Sequence, residues 1–332
     1  LLALRTQGGN AKLLLSANPS HPRPQLTQLP RENPDTPPMF CMLLRKHLTS
    51  GRILEVTQPP LERVVEFRLE ALDELGDRVE RRLMLEVISH RANLVLLDGE
   101  GRILDCIRRV DSGLSDGTGS GRLLQPGMFY RLPPAQSKED PLHADRQRLE
   151  ELLSTAPEEA QADKWLLDTF GGLSPLVCRE LAQQAGGSTD IRLNVLGPAG
   201  RTRLLDQLEW LIRSVKENHF HPTLIYLDGK AKDFTFLPVT QYGGAAKLEN
   251  WPTFSAMLDQ FYEQKESLER IKQKGQDLIR SVTNARDRTA RKIGNQEKEL
   301  AATLDRDRLR ELGDILTSSL HLMKKGMSRL RT

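Results

Sequence analysis

The amino-acid sequence predicts an α+β protein in three successive parts. These are a β-rich N-terminal domain, a helical part built around a tight hairpin, and an antiparallel coiled-coil arm. Three observations carry that prediction. Short apolar segments separated by glycine, proline and aspartate turns follow one another as far as Ile107. Helical periodicity replaces them from Asp145 to Asn218. From Met257 onward, apolar residues step by three or four positions in a heptad-like stripe.

Taken in order, Leu1 to Ala17 reads as two strands around Gln7-Gly-Gly-Asn10, a hairpin signal. Ser20 to Pro38 is proline-rich and is expected to run extended over the surface. Asn33-Pro34 and Pro37-Pro38 exclude a helix before Met39, because proline fixes its own φ and biases the residue before it. Met39 to Leu48 then reads as a short helix that Gly51 terminates. Arg45, Lys46 and His47 crowd its last turn, where cations suit the helix dipole. That basic end is either a solvated helix terminus or positive charge offered to RNA.

Segments Arg52–Gln58, Arg63–Glu70 and Arg82–Ile88 follow with β patterns, and Gly76-Asp77 supplies a turn. Asn93–Leu97 and Arg102–Ile107 pair around Asp98-Gly-Glu-Gly101. Asp111 to Gly121 is glycine- and serine-rich and is expected to be a mobile loop. It is not a phosphate loop, because it lacks the Gly-Lys-Ser/Thr ending. Gln125-Pro-Gly127 and Leu132-Pro-Pro-Ala135 close this first domain, residues 1–136.

Residues 140–220 form the helical part, with Lys164–Phe170, Pro175–Ala185 and Thr202–Glu217 as its clearest helices. Ser174 is placed to cap the second helix, with Pro175 at its first position. The Gly171-Gly-Leu-Ser-Pro175 turn resembles the hairpin of a helix-hairpin-helix module. Such a turn either offers backbone N–H groups of Gly171 and Gly172 to a nucleic-acid phosphate or simply packs two helices. Residues 221–252 return to β structure through Thr223–Leu227, Asp228-Gly229 and Asp233–Pro238.

Residues 253–332 form the arm. Its seam runs from Leu258 and Phe261 through Leu268, Ile271, Leu278, Val282 and Ile293 to Leu300 and Leu304, diluted by Lys265, Gly275, Thr289 and Gln296. A second stripe, Leu309, Leu312, Leu316 and Leu320, is expected to fold back antiparallel across a bend at Asp305-Arg-Asp307. Residues 263–332 hold 17 Lys and Arg against 11 Asp and Glu, a net of +6, whereas the whole chain is +3. The excess is densest between Lys265 and Lys292. A thin rod with surplus positive charge suits contact with a polyanion, and RNA is the candidate; the alternative is a solvated coiled coil. The candidate contacts are Lys272, Lys274, Arg280, Arg286, Arg288, Arg291 and Lys292.

No apolar run approaches the roughly 20 residues that a membrane helix needs. Cys41, Cys106 and Cys178 suggest neither a disulfide framework nor metal spacing, which fits a reducing cytoplasm. The seven histidines show no HExxH spacing, and there is no GxSxG. No cofactor, metal or covalent nucleophile is expected. The chain opens on LLALRTQGG with no initiating Met and reads as a fragment.

Two stretches carry a wider resemblance. Asn33–Leu48 (NPDTPPMFCMLLRKHL) and Lys12-Leu-Leu-Leu-Ser-Ala-Asn-Pro-Ser20 are similar to the N-terminal domain of the NFACT family. Leu258-Asp-Gln-Phe-Tyr262 and Leu320–Gly326 extend the similarity into the arm. That family includes ribosome quality-control factors, some once called fibronectin-binding proteins. The resemblance implies binding to an obstructed large ribosomal subunit carrying stalled peptidyl-tRNA. It further implies recruitment of alanyl-tRNA for template-free C-terminal alanine tailing. Peptidyl transfer would then belong to ribosomal RNA, and the protein would be a tRNA-positioning factor rather than an enzyme.

The family's Asp-Arg pair that engages tRNA aligns with Glu62-Arg63, where Glu62 reaches one methylene farther than Asp. A carboxylate beside a guanidinium can accept from a base edge while the guanidinium forks onto a phosphate or base. Ser89-His-Arg-Ala-Asn93 stands where many relatives show Gly-Arg-His-Ser-Asn, which makes Arg91 and Asn93 further tRNA-site candidates, with Asn93 read as a turn-forming or backbone-contacting residue. Arg45 and Lys46 match the family helix. The alternative reading is a surface adhesin that binds fibronectin. A third is a nucleic-acid-processing enzyme, because the family's architecture resembles formamidopyrimidine-type DNA glycosylases.

Overall fold

The computed structural model describes residues 1–31, 33–111 and 122–329. Residues 112–121, which make up nearly all of the expected glycine–serine loop, lie outside the described residues. The chain divides into two compact units, Leu1–Glu263 and Gln264–Thr332.

The first unit opens with a three-stranded antiparallel sheet of β1 (Leu2–Thr6), β2 (Gly9–Ser16) and β3 (Arg23–Leu26), in the order β1-β2-β3. The expected hairpin is there, with Thr6 opposite Gly9. Strand β3 was not expected in a proline-rich segment. It is an edge strand, and an edge tolerates Pro24 because one row of backbone groups needs no partner. Helix α1 covers Met39–Leu48, as the prolines and Gly51 predict.

Five strands then form a meander: β4 (Arg52–Thr57), β5 (Val64–Leu72), β6 (Arg78–Glu86), β7 (Asn93–Asp98) and β8 (Ile103–Cys106), in that order. The central strands are covered on both faces. Alternate side chains point to opposite sides. Phe67, Leu69, Leu83, Leu85, Leu94 and Leu96 pack with Leu13, Ala17, Phe40, Leu43 and Leu44. Val64, Met84, Val95 and Leu97 pack on the other side with Ile103, Cys106 and Leu124. This double burial explains why Asn93–Leu97 reads as a nearly unbroken apolar run.

Helices α2 (Arg146–Ser154), α3 (Ala162–Thr169), α4 (Pro175–Gly186) and α5 (Leu193–Lys216) follow. Asp145 caps α2 by accepting from the Arg148 N–H at 2.8 Å, and Ser174 caps α4 by accepting from that of Val177 at 3.3 Å. Helix α5 bends at Gly197, whose φ of 61° and ψ of 178° precede Pro198. Their shared core includes Leu149, Leu166, Phe170, Leu181, Leu204 and Leu208. Trp165 meets Phe170 edge-on at 5.7 Å. A second three-stranded sheet, β9 (Thr223–Leu227), β10 (Lys230–Thr235) and β11 (Ala246–Asn250), has the order β10-β9-β11. Strand β11 was not expected, because Ala246–Asn250 carries little apolar alternation.

Helix α6 (Phe254–Thr303) begins in the first unit. Met257 and Phe261 are buried against Leu224 and Phe234. The Asp259 carboxylate accepts from Gln25 Nε2 at 2.6 Å, Thr27 Oγ1 at 2.7 Å and the Gln28 N–H at 2.9 Å. The Arg23 guanidinium lies 3.7 Å over the Tyr262 ring.

In the second unit, α6 continues and α7 (Arg306–Ser318) follows. Among the described residues of the second unit, the two apolar stripes expected to pair are not buried. Leu268, Ile271, Leu278 and Val282 remain 61–68% exposed, and Leu309 is 62% exposed. The 13 residues of α7 span about 20 Å, against about 75 Å for the 50 residues of α6, so most of the α6 stripe lies beyond the length of α7. A short helix with a diluted seam cannot cover the long one.

Candidate nucleic-acid interface

The candidate residues gather where β5 begins and β6 ends, with Val64 opposite Glu86. Upstream of β5 lies the turn Pro59–Arg63, and downstream of β6 lies Val87–Arg91. The Val87 N–H donates to the Arg63 carbonyl at 2.8 Å, so both turns leave the same end of the sheet. Arg63, His90 and Arg91 are exposed there, and Glu62 is half-buried. The first turn is closed by Glu62 N–H donating to the Pro59 carbonyl at 3.1 Å and by Gln58 Nε2 donating to the Glu62 carbonyl at 2.7 Å. The second is a single tight turn over Ser89–Arg91, with Ser89 at a φ of 36°. One end of the sheet thus presents two guanidinium groups, an imidazole and a carboxylate. That mixture can hold a phosphate and read a base edge.

Asn93 makes the backbone contacts that its sequence context suggested, but inside the fold rather than at the candidate tRNA surface. It is 2% exposed. Its Nδ2 donates to the Arg108 carbonyl at 2.8 Å, and its Oδ1 accepts from the Arg108 and Leu94 N–H groups at 3.0 Å each. Its amide is occupied inside the fold and offers nothing to a ligand.

The glycine turn also has a packing role. The Gly171 N–H donates to the Glu139 carbonyl at 2.9 Å, which removes it from any phosphate contact. Gly172 has a φ of +75°, and a methyl group on it would lie 2.8 Å from Leu61 Cδ2. Leu61 itself has a φ of 56°.

The basic end of α1 is elsewhere. Lys46 pairs with Glu74 at 2.5 Å, and Glu74 sits in the β5–β6 hairpin. The nine residues of β5, about 30 Å of strand, therefore lie between Lys46 and Arg63. Burial, then the neighbouring Arg81 and Lys46, pull the His47 pKa below its ordinary value. In the second unit, Lys272, Arg280, Arg286, Arg288, Arg291 and Lys292 are exposed on α6. Arg286 pairs with Asp287 at 2.7 Å. The side chain of Lys274 lies outside the described residues.

Sequence reasoning missed a supporting network. Glu86, 1% exposed at the end of β6, accepts from Arg122 Nη1 at 3.1 Å, from Arg122 Nη2, and from the Tyr130 hydroxyl at 2.8 Å. Burial and the Glu86 carboxylate push the Tyr130 phenol far up. The network fixes the strand end from which Val87–Arg91 departs. A lone Glu closing an apolar strand was its one legible sign. Burial pushes the thiols of Cys106 and Cys178 up to about 11 and about 12, which makes them poor nucleophiles. Among the described residues, no group of His, Cys, Asp and Glu is placed to hold a metal ion. No helix among them is long and apolar enough to cross a membrane.

Residues 1–332 match the family described as NFACT N-terminal and middle domains. The chain belongs to the NFACT family. It is 37% identical over 324 residues to a protein named Rqc2 homolog RqcH from Bacillus subtilis (strain 168), covering 97% of this chain and 53% of that protein. It is 30% identical over 335 residues to a protein of the same name from Streptococcus suis (strain 05ZYH33), covering 100% of this chain and 54% of that one. The chain spans about half the length of the curated relatives it matches. Among solved structures it resembles the N-terminal part of the fibronectin/fibrinogen-binding protein from Streptococcus suis, with 27% identity and a TM-score of 0.61 over 78% of this chain and 85% of that one. The fibrinogen binding protein from Staphylococcus aureus shares the NFACT fold at 24% identity, with a TM-score of 0.62 over 78% of this chain and 86% of that one.

Proposed function

We propose that this chain is the N-terminal and middle part of a ribosome-associated quality-control factor. It would bind an obstructed large ribosomal subunit bearing stalled peptidyl-tRNA and recruit alanyl-tRNA for template-free alanine tailing. The observation that carries the reading is the meeting of Glu62, Arg63, His90 and Arg91 at one end of the sheet, in a chain 37% identical to an Rqc2 homolog. Two turns distant in sequence converge there with charges of the kind RNA contacts use. The exposed cations of α6 supply a second, sequence-blind attraction. In this reading the protein positions tRNA and leaves peptidyl transfer to ribosomal RNA.

The test is affinity purification of the full-length protein from its host, followed by sequencing of the bound RNA. Large-subunit ribosomal RNA with enriched tRNA-Ala is expected. A sample free of both would overturn the reading.

The likeness to a structure named as a fibronectin/fibrinogen-binding protein favours a second reading, a surface adhesin. Immobilised fibronectin separates the two: saturable binding that persists after ribonuclease treatment belongs to the adhesin.

A further inference from the structure

Building on the tRNA-binding reading above, we propose that Leu61 is a positioning residue for the Glu62–Arg63 pair, and that the Gly171–Gly172 turn is its seat. These two segments have separate roles when read along the chain, yet the fold brings them into contact. A methyl group on Gly172 would lie 2.8 Å from Leu61 Cδ2, and one on Gly171 would lie 3.8 Å from Leu61 Cδ1. The leucine side chain fills the space that any larger residue at position 172 would occupy. The φ of Gly172, +75°, independently favours glycine there.

Leu61 is held in an unfavourable backbone region, with a φ of 56°. Such a conformation persists where its surroundings over-determine it, and it then fixes the direction of the residues that follow. The hydrogen bonds of Pro59, Gln58 and Val87 close the turn through the backbone of Glu62 and Arg63. The Leu61 side chain adds the tie to the helical hairpin. That seat is itself fixed: the Gly171 N–H donates to Glu139, the Glu139 N–H donates to Thr169 at 2.8 Å, and Ser174 caps the next helix. The hairpin thus takes part in RNA recognition by aiming the carboxylate–guanidinium pair, without touching phosphate.

The test uses the full-length protein, with total deacylated tRNA as the probe in a fluorescence-polarisation titration. Arg63→Ala is expected to weaken binding by about tenfold. Leu61→Ala and Gly172→Ala are expected to weaken it comparably, and Leu61→Ala added to the combined Glu62→Ala and Arg63→Ala variant no further than that variant by itself. Should Gly172→Ala fail to fold, Leu61→Gly takes its place, because it accepts the same φ and removes the side chain. Folded Leu61 variants with unchanged affinity, beside a weakened Arg63→Ala, would overturn the positioning role and leave the tRNA site standing. Losses that multiply when Leu61→Ala is added to the pair variant would also overturn it, because Leu61 would then act independently of Glu62 and Arg63. Unchanged affinity in folded Arg63→Ala would remove the tRNA site, and the positioning role with it.

Discussion

At the scale of single residues, the end of the sheet separates groups that face outward from groups that hold them. Arg63 and Arg91 are exposed, whereas Asn93 and Glu86 are buried with their polar atoms bonded. Replacing Asn93 with Ala orphans the Arg108 N–H and leaves the Arg108 carbonyl only the weak Cys106 thiol donor. A loss of about 2–3 kcal/mol in chemical denaturation is expected. The folded fraction should keep its tRNA affinity, and a folded variant with tenfold weaker binding would return Asn93 to the interface. Replacing Glu86 with Ala strands the largely buried Arg122 guanidinium. The expected cost is about 3–5 kcal/mol, read as a lowered midpoint in urea, with Glu86→Gln falling between that and the parent.

At the scale of elements, α1 and α6 both present cations but in different settings. In α1, His47 sits beside Arg81 and Lys46, which together with burial hold its pKa below the ordinary 6.5. The unfolded chain therefore binds a proton more readily than the folded one as pH falls through that value. Stability should rise with pH across this window, and His47→Gln should flatten the slope. Equal slopes in both proteins would show that His47 is not the group responsible. Along α6 the cations stand in solvent. Affinity for RNA should fall steeply between about 50 and about 200 mM salt. Replacing Arg286, Arg288, Arg291 and Lys292 with Ala should lower the salt slope by up to about four. An unchanged slope would mean that these side chains meet no phosphate.

At the scale of the whole molecule, the buried residues concentrate in Leu1–Glu263. All four apolar clusters lie there, and among the described residues of the second unit Ser319 is the buried one. Residues 1–263 produced separately should therefore melt within about 5 °C of the full 332-residue chain. A larger fall would show that the second unit contributes to the stability of the first. The exposed stripe Leu268–Val282 would remain a feature of the second unit and leave that melting temperature untouched.

Local chemistry made much of this legible in the sequence. Prolines and Gly51 bound α1, Gln7–Asn10 marked the first hairpin, and Ser174-Pro175 started α4, because each acts through the backbone of its own neighbours. Short alternating or unbroken apolar runs bounded by turns likewise marked β5 to β8. Strand β3 escaped notice because Arg23, Gln25 and Thr27 look like a surface segment until Asp259 and Tyr262 bury them, more than 230 residues on. The seam of α6 was legible as a pattern, but a pattern does not supply a partner of matching length. Tertiary structure decided which candidates share a surface. It brought Arg63 and Arg91 together through the β5–β6 register, sent Lys46 to the far end of β5, turned Asn93 inward, and set Leu61 on Gly172. Strand register and side-chain docking join residues remote in sequence, and no local propensity encodes which remote segments will meet.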